Sequence, residues 1–213
     1  VAASELQPIF QTLAPLIVGM DNGLTAAATI GQMDARGRVN VLDCAYVPLG
    51  VTMGVERFLD TILIPLLTAK YPFKRENIIF VLDPACFERS QVDEKTIDMA
   101  VRARGFKTKK AITNDPERRV SSVEGLLGRQ IDGQAGLLIS PTATHLISAC
   151  EYGFKYKVQK DPAAPLVFDK NHFSHVADSF QYLCLYYNAA VDPMLAQFRT
   201  KARVIVAKPY MYS

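Results

Sequence analysis

The chain has no run near the ~18 apolar residues that a membrane-spanning helix needs, and no charged-then-apolar opening of the kind that marks a secretory signal. Its four cysteines, Cys44, Cys86, Cys150 and Cys184, lie far apart and form no CxxC pair. That spacing argues against structural zinc and disulfides and for reduced thiols in a cytoplasmic compartment. Internal repeats, low-complexity tracts and a GxxxxGK(S/T) phosphate loop are all absent. An excess of one charge is also lacking: 24 Lys and Arg stand against 21 Asp and Glu, a net of +3. That is too little to identify a nucleic-acid binder by itself, and any such role needs local basic patches. The sequence does not begin with Met, and we read it as a piece of something longer or a processed chain. What is there suffices for one sizeable core: 213 residues, 49% of them hydrophobic.

Residues 1–15 read as a linker or N-terminal edge segment, with Pro8 and Pro15 bracketing a short apolar stretch, and 16–213 as the folded domain. Three strand-like runs open it, at Leu16–Asp21, 25–33 and 38–47, separated by the turn signals Asn22-Gly23 and Ala35-Arg36-Gly37. This pattern predicts an antiparallel meander. Residues 55–70 carry Val55, Phe58, Leu59, Ile62, Leu63 and Leu66 at helical spacing, with Pro65 expected to bend or shorten the helix. A fourth strand is expected at Ile78–Leu82, then a charged helix over 88–104 ended by Gly105. A fifth strand follows at 107–113, and a helix over 116–129 has Asp115 as N-cap and Pro116 at its first position. The short strand Leu137–Ile139 precedes a helix running through Cys150. Residues 154–168 read as a lysine-bearing hairpin or loop, 172–191 as a long helix and 204–207 as an edge strand. Antiparallel strands followed by alternating helix and strand predict an α/β fold, a mixed central sheet flanked by helices.

Three aspartates stand out against this pattern. Asp21 and Asp83 each end an apolar strand, and Asp178 interrupts a helix that is apolar nearly all round. A carboxylate in such surroundings is costly unless a cation receives it. If the first and fourth strands are parallel neighbours, Asp21 and Asp83 lie side by side, about 4.8 Å apart by strand spacing, at the edge where ligands collect in parallel sheets. Oxygen-only ligands suit Mg²⁺ or Mn²⁺, and a pair of such ions about 3.5–4 Å apart is the apparatus of phosphodiester hydrolysis. Each aspartate also has an ordinary reading: Asp21 serving the Asn22-Gly23 turn, Asp83 capping a helix before Pro84, a buried Asp178 pairing with one Arg or Lys.

The chain resembles the C-terminal nuclease domain of tailed-phage terminase large subunits, which has a ribonuclease H-like fold. The likeness rests on Val18-Gly19-Met20-Asp21-Asn22-Gly23-Leu24-Thr25, on Val81-Leu82-Asp83-Pro84-Ala85, and on the stretch from Lys170 to Tyr182 containing Ser174-His175 and Asp178. Segments from Asn114 to Leu127 and from Ile139 to Phe154 are similar as well, so the likeness spans about 16–190. It implies an endonuclease that cuts concatemeric double-stranded viral DNA during genome packaging, with Asp21, Asp83 and Asp178 as catalytic ligands of two Mg²⁺ or Mn²⁺ ions. It further implies an N-terminal packaging ATPase outside this chain, a portal protein and a small terminase subunit as partners, no membrane, and action in the host-cell cytoplasm. Some members carry another acidic residue beside the last aspartate; Ser179 stands there in this chain, which implies a weaker second metal site.

Around that core, His175, one helical turn before Asp178, could orient a carboxylate or contact a phosphate, and Lys170 could approach the metals or the DNA backbone. Lys155 and Lys157 alternate with Phe154 and Tyr156 and, with Lys160, form the best candidate for phosphate contacts; Lys107, Lys109, Lys110, Arg118 and Arg119 are further candidates. A solvated charged surface is the ordinary alternative for all of these, and a packed, hydrogen-bonded imidazole for His175. Competing functions are a transposase or junction-resolving nuclease of the same fold, a non-catalytic docking domain, and an actin-like or sugar-kinase-like ATPase. The last should show a second Asp-X-Gly turn and a glycine-rich adenosine loop, and neither is present.

Overall fold

The computed structural model describes residues 6–9, 14–88, 96–157 and 168–191. The expected edge strand at 204–207, Lys160, and most of the hairpin or loop at 154–168 lie outside the described residues. Within them, β1 (Leu16–Asp21), β2 (Ala27–Met33) and β3 (Val39–Tyr46) form the predicted antiparallel meander. The parallel strands are β4 (Ile78–Leu82) beside β1, β5 (Lys107–Lys110) beside β4, and β8 (Leu137–Ile139) beside β3. The six-stranded order is β5-β4-β1-β2-β3-β8. It is the expected mixed sheet, and its register supplies the condition set by the sequence: Met20 pairs with Leu82, so Asp21 and Asp83 follow at adjacent strand ends.

Strand alternation then decides which way every side chain faces. Leu16, Val18 and Met20 turn to one side of the sheet, where they pack with Phe58, Leu59, Leu63, Leu67 and Val101. These come from a helix built of α1 (Val55–Phe58) and α2 (Ile64–Lys70), and from α3 (Ile97–Ala103). Ile17 and Val81 turn to the other side, against Val176, Phe180 and Leu183 of α6 (Ser174–Val191) and Leu126 of α4 (Pro116–Leu127). Asp21 and Asp83 are two residues beyond Gly19 and Val81. Alternation therefore turns both toward α6.

Gly19 makes the approach of α6 possible. A Cβ there would collide with the Ser179 carbonyl oxygen and lie 2.6 Å from the Leu183 backbone nitrogen. Gly19→Ala is expected to push α6 off β1 at a cost of about 3 kcal/mol, the upper range for overpacking a core. A thermal melt some ~6–12 °C below wild type would register it; a melt within a degree of wild type would refute this packing.

Several sequence expectations need correction. Residues 55–70 are not shortened at Pro65: a π-turn, Leu59–Leu63, joins α1 to α2, with the Ile64 N–H bonding back to the Leu59 carbonyl. The wider turn absorbs the donor that proline lacks. No helix starts at residue 88, where Glu88 is extended; Pro84–Phe87 form a 3-10 turn and α3 begins after its cap Thr96, whose side chain accepts from the Met99 N–H. Gly105, at φ +84°, does follow its end. The fifth strand stops at Lys110 rather than 113, and the long helix starts at Ser174 rather than 172. Thr25, expected inside the second strand, makes only an isolated bridge to Met53. The capped helix at Asp115-Pro116 is as expected, with the Asp115 side chain accepting from the Arg118 N–H. Residues 130–135, unassigned from sequence, form a small hairpin, β6 (Gln130–Ile131) and β7 (Gln134–Ala135), around Asp132-Gly133 at φ 53° and 73°. The described part of 1–15 lies on the domain: Gln32 of β2 bonds the Ile9 N–H and carbonyl and the Ala14 carbonyl.

Candidate active site

Asp21, Asp83 and Asp178 are buried, at 9%, 8% and 5% exposure, and each is held by a different part of the chain. Asp21 ends β1 and accepts from His175 Nδ1 at 2.6 Å. The other ring nitrogen of His175 meets the Thr25 hydroxyl at 2.6 Å. Asp83 caps the 3-10 turn, accepting the Ala85 N–H at 2.7 Å, and its second oxygen accepts from the Tyr182 hydroxyl. Asn114 lies 2.7 Å from that same hydroxyl. One phenolic proton cannot serve both Asp83 and the Asn114 Oδ1 that faces it, and the carboxylate is the stronger acceptor, so the proton goes to Asp83. Asp178 binds Arg119 Nη1 at 2.9 Å and Lys170 Nζ at 3.0 Å through different oxygens.

The electrostatics are those of a site short of positive charge. Burial pushes the Asp21 carboxyl up, the His175 hydrogen bond opposes this, and the negative charges of Asp178 and Asp83 add to the rise. The hydrogen bond to Asp21 raises His175 in turn, against its partial burial. Burial, then the bond to Asp83, pushes Tyr182 up, which keeps its phenol a donor. Thiol chemistry finds no support: burial pushes Cys44 and Cys150 up to about 11, and raises Cys86 and Cys184 as well.

The His175 shift has a measurable sign. An imidazole raised above about 6.5 stabilises the fold fully below that pH and loses its contribution as pH rises through the folded value. Without metal, the thermal advantage of wild type over His175→Gln is therefore expected to shrink as pH rises above about 6.5. An advantage that grows with pH would contradict the pairing.

Of the predicted supporting residues, His175 and Lys170 reach the carboxylates. Lys155 and Lys157 do not; they are exposed on the segment where Phe154 and Tyr156 both stack on Phe168, at 4.6 and 4.5 Å. Lys107, Lys109 and Lys110 lie on the edge strand β5, with Lys109 over the Tyr186 ring and Lys110 over Phe87. Arg118 is exposed at the start of α4. Arg119, read as a surface candidate, is instead 6% exposed and lies over the Tyr182 ring. The signal for it was helical spacing: Arg119, Ser122 and Leu126 form the buried stripe of α4. Tyr182, Asn114 and Thr25 had no assigned role in the sequence reading, and only the fold brings them to the carboxylates. Ser179 does not face the site. It is wholly buried against the sheet, bonded to Thr29 Oγ1 at 2.8 Å and to the Val176 carbonyl.

Among the described residues, no group of three or more His, Cys, Asp and Glu side chains is already drawn together to hold a metal. The donor set nevertheless suits a hard divalent cation: it is all oxygen, it is buried, and the charges of Asp178 and Asp83 add to the cost of ionising Asp21. The present counter-charges are partly removable, since Lys170 is 64% exposed while Arg119 is enclosed.

A mixed sheet of this order, covered by helices on both faces and carrying an acidic edge, is a ribonuclease H-like fold of the terminase nuclease kind. The P22 large terminase nuclease domain matches it with a TM-score of 0.56 at 13% identity, over 92% of each chain. The large terminase of a thermophilic bacteriophage, in complex with ATP-γ-S, matches with a TM-score of 0.62 at 11% identity, over 84% of this chain. The chain spans 41% of the length of that terminase. No protein-family profile matches the sequence, and no curated protein matches it. The fold, then, is that of large-terminase nuclease domains. Among the described residues no helix is long and apolar enough to cross a membrane.

Proposed function

We propose that this chain is a divalent-metal-dependent DNA endonuclease that cuts concatemeric double-stranded viral DNA during genome packaging. The reading is supported by three buried carboxylates, Asp21 at the end of β1, Asp83 just after β4 and Asp178 on α6, in a chain with a terminase-nuclease fold. Asp21, Asp83 and Asp178 would hold Mg²⁺ or Mn²⁺. When bound, a pair of such ions supplies Lewis-acid activation of water and charge stabilisation for the scissile phosphate and the leaving oxygen.

The chain's own groups do the rest. His175 fixes the Asp21 carboxylate and is itself held by Thr25. The Ala85 N–H and Tyr182 fix Asp83 from two sides, so its oxygens keep one orientation. Arg119 anchors one oxygen of Asp178 from the protein interior. Lys170, on the solvent side, can leave the other oxygen and meet a DNA phosphate instead. Ser179 adds no ligand, which supports a weaker second metal. A packaging ATPase, a portal and a small terminase subunit are the expected partners, and the host-cell cytoplasm the expected place of action.

Supercoiled plasmid incubated with the chain and Mn²⁺ is expected to yield nicked and linear DNA, with Mg²⁺ as the second arm. Plasmid that stays supercoiled across both metals would defeat the proposal.

A further inference from the structure

Beside the carboxylates lies a cavity of about 340 Å³ that shares Lys170 and His175 with them. Its two walls differ in chemistry. One carries Lys170, Asn171 and His172, a cation and polar groups turned to solvent. The other carries Tyr46, the last residue of β3, and the loop through Leu49. The Tyr46 ring is backed by His145, stacked at 3.9 Å and 16°, and His145 in turn stacks on Phe173 at 4.8 Å. Burial lowers His145 and so favours the neutral ring as backing. Tyr46 is 37% exposed and Leu49 78% exposed, so part of Tyr46 remains open where it lines the cavity and the loop adds apolar surface beside it.

The DNA backbone has no group that such a ring and leucine would recognise. A base does, but in a duplex its faces are stacked away. The volume falls at the lower end of single-ligand pockets, about 300–1,000 Å³, too small for a helix and suited to one residue of a strand. Resting on the nuclease reading above, we propose that this cavity is a subsite for one unpaired nucleotide flanking the scissile phosphate, its base against Tyr46 and Leu49 and its phosphate toward Lys170 and His172. The domain then works best where the duplex has opened beside the cut. Stacking on an aromatic ring is worth about 1–3 kcal/mol per base, which converts to about 5- to 150-fold in affinity.

The test is metal-free binding by the whole chain, read by fluorescence anisotropy with labelled oligothymidylate, an abasic strand of equal length, and a duplex. Oligothymidylate is expected to bind at least about 5-fold tighter than the abasic strand. Tyr46→Ala should remove that difference, Tyr46→Phe should keep it, and Leu49→Glu, on an exposed loop position that leaves folding intact, should reduce it. With 5-iodouracil in the strand, irradiation of the wild-type chain should label Tyr46. Equal binding of the thymidylate and abasic strands, or labelling that avoids Tyr46 while the strand binds, overturns the subsite and leaves the nuclease reading standing. Failure to bind DNA of any kind overturns the subsite alone if the plasmid is still cut with Mn²⁺, and both readings if it is not.

Discussion

Asp83→Asn is expected to lower the rate of Mn²⁺-dependent plasmid nicking by at least about 100-fold, since losing a metal ligand should exceed the 10- to 100-fold typical of losing an outer partner. The substitution separates the two readings that the sequence left open. If Asp83 is only a cap for the turn at Pro84–Phe87, asparagine replaces it well, because Asn and Asp cap almost equally. The Oδ1 acceptor for the Ala85 N–H survives, and the side chain keeps its shape. The charge is lost, and the Nδ2 that replaces the second oxygen no longer accepts the Tyr182 hydroxyl. A variant that melts near wild type and does not cut identifies the carboxylate as a metal ligand; one that cuts normally leaves Asp83 a cap.

The second large effect is on stability. Arg119→Met leaves Asp178, 5% exposed, with the solvent-facing Lys170 as its remaining cation. Removing one partner of a buried ion pair costs about 3–5 kcal/mol, or a fall in melting temperature of very roughly 6–20 °C for a chain of this size. Methionine retains much of the packing against Tyr182, so the loss reports the charge rather than a hole. Added Mn²⁺ should recover more stability in this variant than in wild type, because the ion supplies the cation that the arginine no longer does. Equal gains in both would mean that Asp178 is not where the metal binds. Thermal melts with and without Mn²⁺ make the comparison.

What could be read from the chain follows the range of the physics involved. Apolar runs ended by Asp21 and Asp83, and the Asp115-Pro116 start of α4, are local signals, and the elements they predicted are there. The hairpin at Asp132-Gly133 was equally local, a turn dipeptide with positive φ at both positions, and was passed over. The start of the helix at 88–104 misled because a charged stretch is compatible with a helix without requiring one. The partner of Asp178 lies 59 residues away, on a helix whose direction only the packing of α4 against α6 decides. Charge alone marked Arg119 as a surface residue, while its place in the buried stripe pointed inward. Ser179 was compared with an acidic ligand, yet its neighbour Thr29 sits on another strand and turns it to the sheet. Side-chain identity thus pointed to the buried carboxylates and, among the groups that hold them, to His175 and Lys170 but not to Arg119 or Tyr182.

That shell of holding groups gives each of the three acidic groups a partner within the chain. His175, Arg119, Lys170 and Tyr182 each take one carboxylate oxygen. Two of these partners are enclosed, Arg119 and Tyr182, and hold the frame; Lys170 is open to exchange. Crystals of the chain soaked in Mn²⁺ and measured at the manganese absorption edge test this account most directly. The account predicts an anomalous peak within about 2.0–2.3 Å of oxygens from Asp21, Asp83 and Asp178, with Lys170 released from Asp178 and Arg119 still in place. Manganese bound elsewhere, with all three aspartates keeping their protein partners in a chain that still cuts DNA, would contradict it.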